Sequence, residues 1–307
     1  LPPSLGATMR ALRAHPSMAL RKTFTAASGA MSTAITATTT VANVRPRRSA
    51  LYMPGSNARA LDKGRSLPCD VILFDCEDAV SPDDKVLARN QIAEALAAGG
   101  FGDRELVVRV NPLASPWGED DVVAMAEAGA HAVLIAKAEN QDEVNEVAAL
   151  LHKTCRSRDE DKEMPDIWCM IETPLGVLRA AELASMHPVT CLVAGTSDLA
   201  ADLRCDGEWQ HRTALLPFLS HTVLAARAHG VAVLDGVHLN LQDDEGFEAS
   251  CQQGRALGFD GKTLIHPKTI ETANIAFAPS SEEVQQARRK IEAFAEAQAA
   301  GTALVVL

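Results

Sequence analysis

The sequence predicts an α/β fold, a (β/α)₈ TIM barrel, on three observations. Eight short apolar runs recur along most of the chain, each run is followed by a helical pattern, and eight is the number of parallel strands that closes such a barrel. The runs are Ser49–Met53, Val71–Asp75, Leu106–Val110, Ala132–Ala136, Ile167–Ile171, Cys191–Ala194, Ala232–Leu234 and Lys262–Ile265. They are partly β-branched and mostly bounded by Gly, Pro or Asp, as buried strands are. Between them lie amphipathic stretches such as Ser81–Ala98, Gln141–Lys153, Arg212–His229 and Asp243–Leu257. An open doubly wound sheet is the alternative. No G-x-G-x-x-G follows the first run, and Pro54-Gly55-Ser56-Asn57 reads as a turn, so a dinucleotide fold has no positive support.

Charge divides the chain in two. The 307 residues carry 29 Lys+Arg and 40 Asp+Glu, a net charge of −11, yet no acidic residue occurs before Asp62. Residues 1–47 are expected to be a disordered leader. Arg10, Arg13, Arg21, Lys22, Arg45, Arg47 and Arg48, with a Ser/Thr-rich run from Ser32 to Thr40, give this end the composition of an organelle transit peptide. The expected location is therefore the mitochondrial matrix or another organelle, with a disordered or cloning-derived extension and a cytoplasmic protein as the alternative. Residues 48–307 are then the barrel domain with C-terminal helices, and this body is strongly acidic. Such a surface argues against nucleic acid and anionic membranes, and no apolar run approaches the length of a bilayer span. Seven cysteines without a C-x-x-C pair read as reduced thiols.

In a barrel of this class the active site lies where strands end and loops begin. Polar residues collect at that edge: Tyr52, then Asp75, Glu77 and Asp78, then Arg109 and Asn111, Lys137 and Glu139, Glu172, Asp198, Asp235 and His266. Glu172 and Asp198 form the sharpest pair. Two carboxylates on neighbouring strands with few soft ligands suit Mg²⁺, which keeps several waters; pairing with Arg or capping of helices is the alternative. Arg109 is placed to clamp a carboxylate bidentately, or to serve as partner of the Asp75–Asp78 cluster. His266 lies on the same edge, where a structural role is favoured.

Six stretches then carry a resemblance: LYMPGSN (51–57), LFDCEDAV (73–80), VRVNP (108–112), MIETPLGV (170–177), GTSDLAADL (195–203) and FDGKTLIHPKTI (259–270). Together they resemble the citrate lyase β-subunit-like (HpcH/HpaI aldolase/citrate lyase) family, from about Arg48 to the end, and most nearly its malyl-CoA and β-methylmalyl-CoA lyases. The resemblance implies Glu172 and Asp198 as ligands of Mg²⁺, with Mn²⁺ as a substitute, and Arg109 as the holder of an α-keto acid carboxylate. It implies Tyr52, Arg59 and Lys63 facing the phosphates of coenzyme A, with Arg65 completing a basic cluster. Leu264 and Ile265 would lie along the adenine end, and Glu77 and Asp78 would orient metal-bound waters.

The activity so implied is reversible carbon–carbon cleavage of malyl-CoA, β-methylmalyl-CoA or citramalyl-CoA to acetyl- or propionyl-CoA and glyoxylate or pyruvate. A malyl-CoA thioesterase, a CoA-free pyruvate-type aldolase and a non-catalytic acyl-CoA-binding subunit remain open. The family also implies a homo-oligomer, a trimer or a multiple of one. A neighbour there lends a C-terminal cover segment with an acidic acid/base residue. Here no acidic residue follows Glu296 before Leu307, so truncation of that cover is the expectation.

Overall fold

The computed structural model describes residues 45–156, 163–205 and 212–299. Eight parallel strands close into a barrel in sequence order. They are β1 (Ser49–Pro54), β2 (Val71–Asp75), β3 (Glu105–Val110), β4 (Ala132–Ile135), β5 (Asp166–Ile171), β6 (Val189–Ala194), β7 (Ala232–Asp235) and β8 (Gly261–Leu264). Because β1 pairs with both β2 and β8, no strand is left with an open edge. Each strand lies within two residues of the run read from the sequence.

The helices are α1 (Ala58–Gly64), α2 (Lys85–Ala98), α3 (Gly118–Ala128), α4 (Gln141–Arg156), α5 (Pro174–Leu178), α6 (Ala180–Ala184), α7 (Thr196–Asp202), α8 (Leu216–His229), α9 (Asp244–Leu257), α10 (Ile270–Ala276) and α11 (Ser281–Ala299). Apolar spacing of three and four residues decides which face they bury: Val144, Val147 and Leu151 on α4 turn inward, with Cys155 one turn further on. Gly129 and Gly230 end α3 and α8 in the left-handed conformation, and their N–H groups cap Met125 and Ala226 carbonyls. The stretch expected to be helical from Ser81 opens instead as a 3₁₀ turn at Pro82–Asp84, since proline is suited to a helix start. Among the described residues no helix is long and apolar enough to cross a membrane. All seven cysteines are free.

Strand alternation produces two cores. Ala50, Leu73, Val107, Leu134, Trp168, Met170, Val193 and Leu234 fill the lumen. Their sequence neighbours Leu51, Phe74, Val108, Ile135, Cys169 and Val233 pack against the helices. This parity decides which polar residues reach the mouth.

The barrel floor is closed by charge. Glu105 starts β3 pointing into the lumen, and Arg47 meets it with two hydrogen bonds of 2.6 and 2.7 Å. The Arg47 guanidinium also lies 4.9 Å from the Trp168 ring centroid. Beside it Arg48 grips Asp70 through its backbone N–H and both ends of its guanidinium. The expected leader, residues 1–47, takes in Arg45 and Arg47. The structure sets Arg47 and Arg48 against the barrel because inward-facing Glu105 and half-sheltered Asp70 need partners. Residues 1–44, most of the expected leader, and 300–307, the end at which the cover is expected to be truncated, lie outside the described residues.

Removing one partner of a buried pair strands the other charge, at a cost of about 3 kcal/mol. The Glu105 side chain is 5% exposed, so Arg47→Ala should lose that much in chemical denaturation. The double variant Arg47→Ala/Glu105→Gln should recover most of the loss. Equal stabilities of the single variant and wild type would refute the assignment.

Candidate active site

The barrel mouth holds a cavity of about 300 Å³. Its walls include Tyr52 from β1, Asp75 from β2, Arg109 from β3, Met170 from β5 and Glu172 just past its end, and Ser197 and Asp198 from α7. Each strand-borne member continues the inward-facing half of its strand, and α7 follows the inward turn at Gly195.

Arg109 is the centre of one wall. Its Nε donates to Asp75 Oδ1 at 2.8 Å and its Nη2 to Asp75 Oδ2. Nη1 lies 3.1 Å from both Glu77 and Asp78 carboxylates. The guanidinium stacks 5.0 Å from the Tyr52 ring centroid. Asp75, with Tyr52 and Glu77, holds Arg109 in its charged form against the penalty of burial. Asp75 also organises the loop after β2, accepting from Glu77 N at 2.8 Å and Ala79 N at 3.1 Å. Lys85 Nζ and the Asn111 amide then pin the Cys76 carbonyl of that loop.

The facing wall carries the carboxylate pair. Glu172 is 2% exposed, and its Oε1 accepts from the Lys137 N–H at 2.7 Å. Lys137 adopts φ 52°, a left-handed conformation that costs a non-glycine residue about 1–2 kcal/mol. The same residue sends its Nζ to Asp198 at 3.3 Å. One strained residue thus touches both members of the pair. Gly195 supplies the space: a Cβ there would press on Glu172 Cβ and come within 2.7 Å of Glu172 Oε2.

The mouth has a surplus of negative charge. Asp75, Glu77, Asp78, Glu172 and Asp198 face only Arg109 and Lys137 through these contacts. Burial pushes the Glu172 carboxyl up to about 8; the Lys137 N–H and Arg109 resist, and Asp198 and Glu77 add to the rise. Burial likewise lifts Glu77 to about 6, opposed by Arg109 and reinforced by Asp78. A hard divalent cation between Glu172 and Asp198 would relieve this surplus. Among the described residues no three His, Cys, Asp or Glu side chains converge as a ready-made metal cage. Two carboxylates with water and substrate oxygens for the rest is the ordinary provision for Mg²⁺, so the donor set fits that ion.

The other expected residues divide. Ile265 is 39% exposed and lines the cavity, whereas Leu264 is 2% exposed and packs into the outer core. Adjacent strand residues face opposite ways, so only one of the two can meet a ligand at the mouth. Arg59 and Lys63 stand exposed one turn apart on α1, outside the cavity lining. Tyr52 is instead inside the cavity, with its hydroxyl 3.7 Å from Met170 Sδ. Arg65 does not join the basic cluster: it lies 4.5 Å from the Phe101 ring centroid and pairs with Asp62. Asp235 fails the same parity test as Leu264; it faces the helices, bound to Arg212 and Lys262. His266 caps the turn that follows, accepting from Lys268 N at 3.1 Å. Lys137 was expected only as one of the polar residues at the strand edge, and Gly195 and Met170 were absent from the expected site. The signal for Gly195 was a glycine directly before Thr-Ser-Asp, and for Met170 its position two residues before Glu172 on one strand.

Residues 48–267 match the family described as HpcH/HpaI aldolase/citrate lyase. The chain is 44% identical over 264 residues to a (3S)-malyl-CoA thioesterase of Cereibacter sphaeroides, covering 85% of this chain and 88% of that protein. It is 32% identical over 264 residues to citrate lyase subunit beta of Escherichia coli, covering 86% and 87%. A solved structure of CitE from Mycobacterium tuberculosis, in complex with magnesium, acetoacetate and coenzyme A, aligns at 30% identity with a TM-score of 0.65, covering 83% of this chain and 87% of that one.

Gly195→Ala should move Glu172 while leaving the barrel closed. Displacing a catalytic group by about 1 Å costs on the order of 10²-fold in rate, and overpacking costs about 1–3 kcal/mol. Steady-state rates and thermal melting check both figures; full activity in a folded variant would contradict the packing argument.

Proposed function

Because the chain belongs to the HpcH/HpaI aldolase/citrate lyase family, we propose that its barrel mouth is the active site of a Mg²⁺-dependent enzyme that hydrolyses a malyl-type CoA thioester. The observation that carries this reading is one cavity with a fixed guanidinium, Arg109, on one wall and the Glu172–Asp198 pair on the other. The resemblance in motifs ranks carbon–carbon cleavage first. The 44% likeness to proteins named malyl-CoA thioesterases reverses that order and favours hydrolysis.

Hydrolysis adds a water oxygen to the thioester carbonyl carbon and breaks the C–S bond. One product is malate; the other is coenzyme A, whose sulfur takes up a proton. Arg109 is suited to hold the distal carboxylate of the malyl group, because Asp75 fixes its plane and leaves Nη1 turned toward Asp78 and the cavity. Glu172 and Asp198 would hold Mg²⁺, which when bound supplies positive charge beside substrate oxygens that become more negative. Arg59 and Lys63 on α1 offer two exposed cations to the phosphates of the CoA moiety. Met170, Val237, Leu239 and Ile265 give the same cavity an apolar side for the acyl chain.

A second reading keeps the same residues and cleaves the malyl group to glyoxylate and acetyl-CoA. The likeness to the magnesium, acetoacetate and coenzyme A complex of CitE favours it. Family likeness is also the reason to expect a homo-oligomer, and the composition of residues 1–47 the reason to expect an organelle.

Product analysis separates the readings. With malyl-CoA and Mg²⁺, hydrolysis releases a free thiol and malate in equal amounts, whereas cleavage releases glyoxylate and no thiol. Chelation of divalent ions should abolish either activity and added Mg²⁺ restore it. Glu172→Gln and Asp198→Asn should each lower kcat/KM by at least about 10²-fold. Metal-independent turnover by either variant would sink the assignment, and indifference of the rate to the CoA moiety would favour a CoA-free aldolase.

A further inference from the structure

Behind the wall of the active-site cavity lies a second chamber of about 10 Å³, room for one water and little more. Thr196, Val237 and Leu239 line both spaces and so form the partition between them. Arg212, His238 and Ser250 belong to the chamber alone. Three of these residues each carry a buried polar atom with no hydrogen-bond partner among the described residues: Thr196 Oγ1, Arg212 Nε and His238 Nε2. A buried donor or acceptor left unpaired costs about 1–3 kcal/mol, so three around one small space call for a common partner.

The rest of the chemistry around the chamber is satisfied. Arg212 donates from Nη1 to Asp235 at 2.7 Å and to Ser250 Oγ at 3.1 Å, and from Nη2 to Asp235 at 2.7 Å. Lys262 Nζ completes the cluster, 2.8 Å from Asp235. His238 Nε2 stands 4.0 Å from the Asp243 carboxylate, beyond hydrogen-bond reach. Burial and the nearby Lys262 and Arg212 charges push this histidine below its ordinary range, and Asp243 opposes them. With the proton of the neutral ring on its other nitrogen, Nε2 is an acceptor. The three orphans are therefore an N–H donor, a ring acceptor and a hydroxyl. One water accepts from the first, donates to the second and donates to the third.

We propose that this chamber holds a single ordered water bound by Arg212 Nε, His238 Nε2 and Thr196 Oγ1, and that the water fixes the turn carrying Asp198 into the active-site cavity. Thr196 and Asp198 are the first and third residues of α7. On its other side Thr196 rests on Gly236, where a Cβ would lie 2.5 Å from Oγ1 and 2.7 Å from Cγ2. The side chain is thus held between bare backbone and the water. His238 and Arg212 act as positioning residues, tying the outward-facing Asp235 cluster to the inward-facing site. This second half rests on Asp198 serving as a Mg²⁺ ligand.

A high-resolution crystal structure of the full chain should show solvent density within about 3 Å of all three atoms. An empty chamber, or one filled by a rotated side chain, overturns the proposal. Calorimetric titration with Mg²⁺ alone tests the positioning. His238→Leu fills the chamber and removes the acceptor, and should weaken Mg²⁺ binding by about tenfold, the lower end of what supporting groups cost a metal site. His238→Gln keeps an acceptor and should bind within about threefold of wild type. Unchanged Mg²⁺ affinity in a folded His238→Leu protein overturns the positioning role; if that variant does not fold, Thr196→Val is read the same way. Failure of the wild-type protein to bind Mg²⁺ refutes the metal site itself, while the solvent density still decides the water.

Discussion

The pair between Arg109 and Asp75 is the contact on which the mouth of this barrel depends. Asp75 holds the guanidinium in one plane and, with the same two oxygens, accepts from the backbone of the loop that carries Glu77 and Asp78. Tyr52 stacks on that plane from the neighbouring strand. Three strands and one loop therefore take their relative positions from a single carboxylate. A buried ion pair is rarely a large source of stability, because both charges lose their hydration. Its value here is geometric, since it orients a cation that is still partly open to the cavity.

Strand parity explains which parts of this arrangement were legible in the sequence. The eight runs, their order and their spacing were readable because each is a short apolar segment flanked by turn residues. Tyr52, Asp75, Arg109 and Glu172 were readable as site residues because each lies at the C-terminal end of its strand or just beyond it. What a list of strand ends does not give is the side each residue faces. Asp235 was grouped with the mouth by position and Leu264 by resemblance, yet both point to the helices, and Ile265 next to Leu264 does not. Lys137 was placed at the mouth, but its hold on both Glu172 and Asp198 was not legible. Its role follows from a left-handed backbone that lysine has no special tendency to adopt. Arg65 was counted as a surface cation, but its stem and head had an aromatic ring and a carboxylate nearer at hand.

Electrostatics runs on two scales in this chain. The whole carries a net charge of −11, and the mouth repeats that excess locally with five carboxylates around two cations. Global charge therefore says little about whether anions are welcome. A metal ion would reverse the sign of one wall, Arg109 is already positive on the other, and Arg59 and Lys63 stand exposed on α1. The outward cluster of Asp235, Arg212 and Lys262 is kept apart from this balance, between the barrel and its helices, where two cations share one carboxylate.

The sealed floor bears on traffic through the site. Arg47, Glu105 and Trp168 block the lower end of the lumen, and the inner core fills the space above them. Anything that enters from above must leave by the route it came. A small acid seated deep against Arg109 and Glu172 would then be trapped beneath a larger companion, and departure would follow a fixed order, with the bulky molecule first and the small one last.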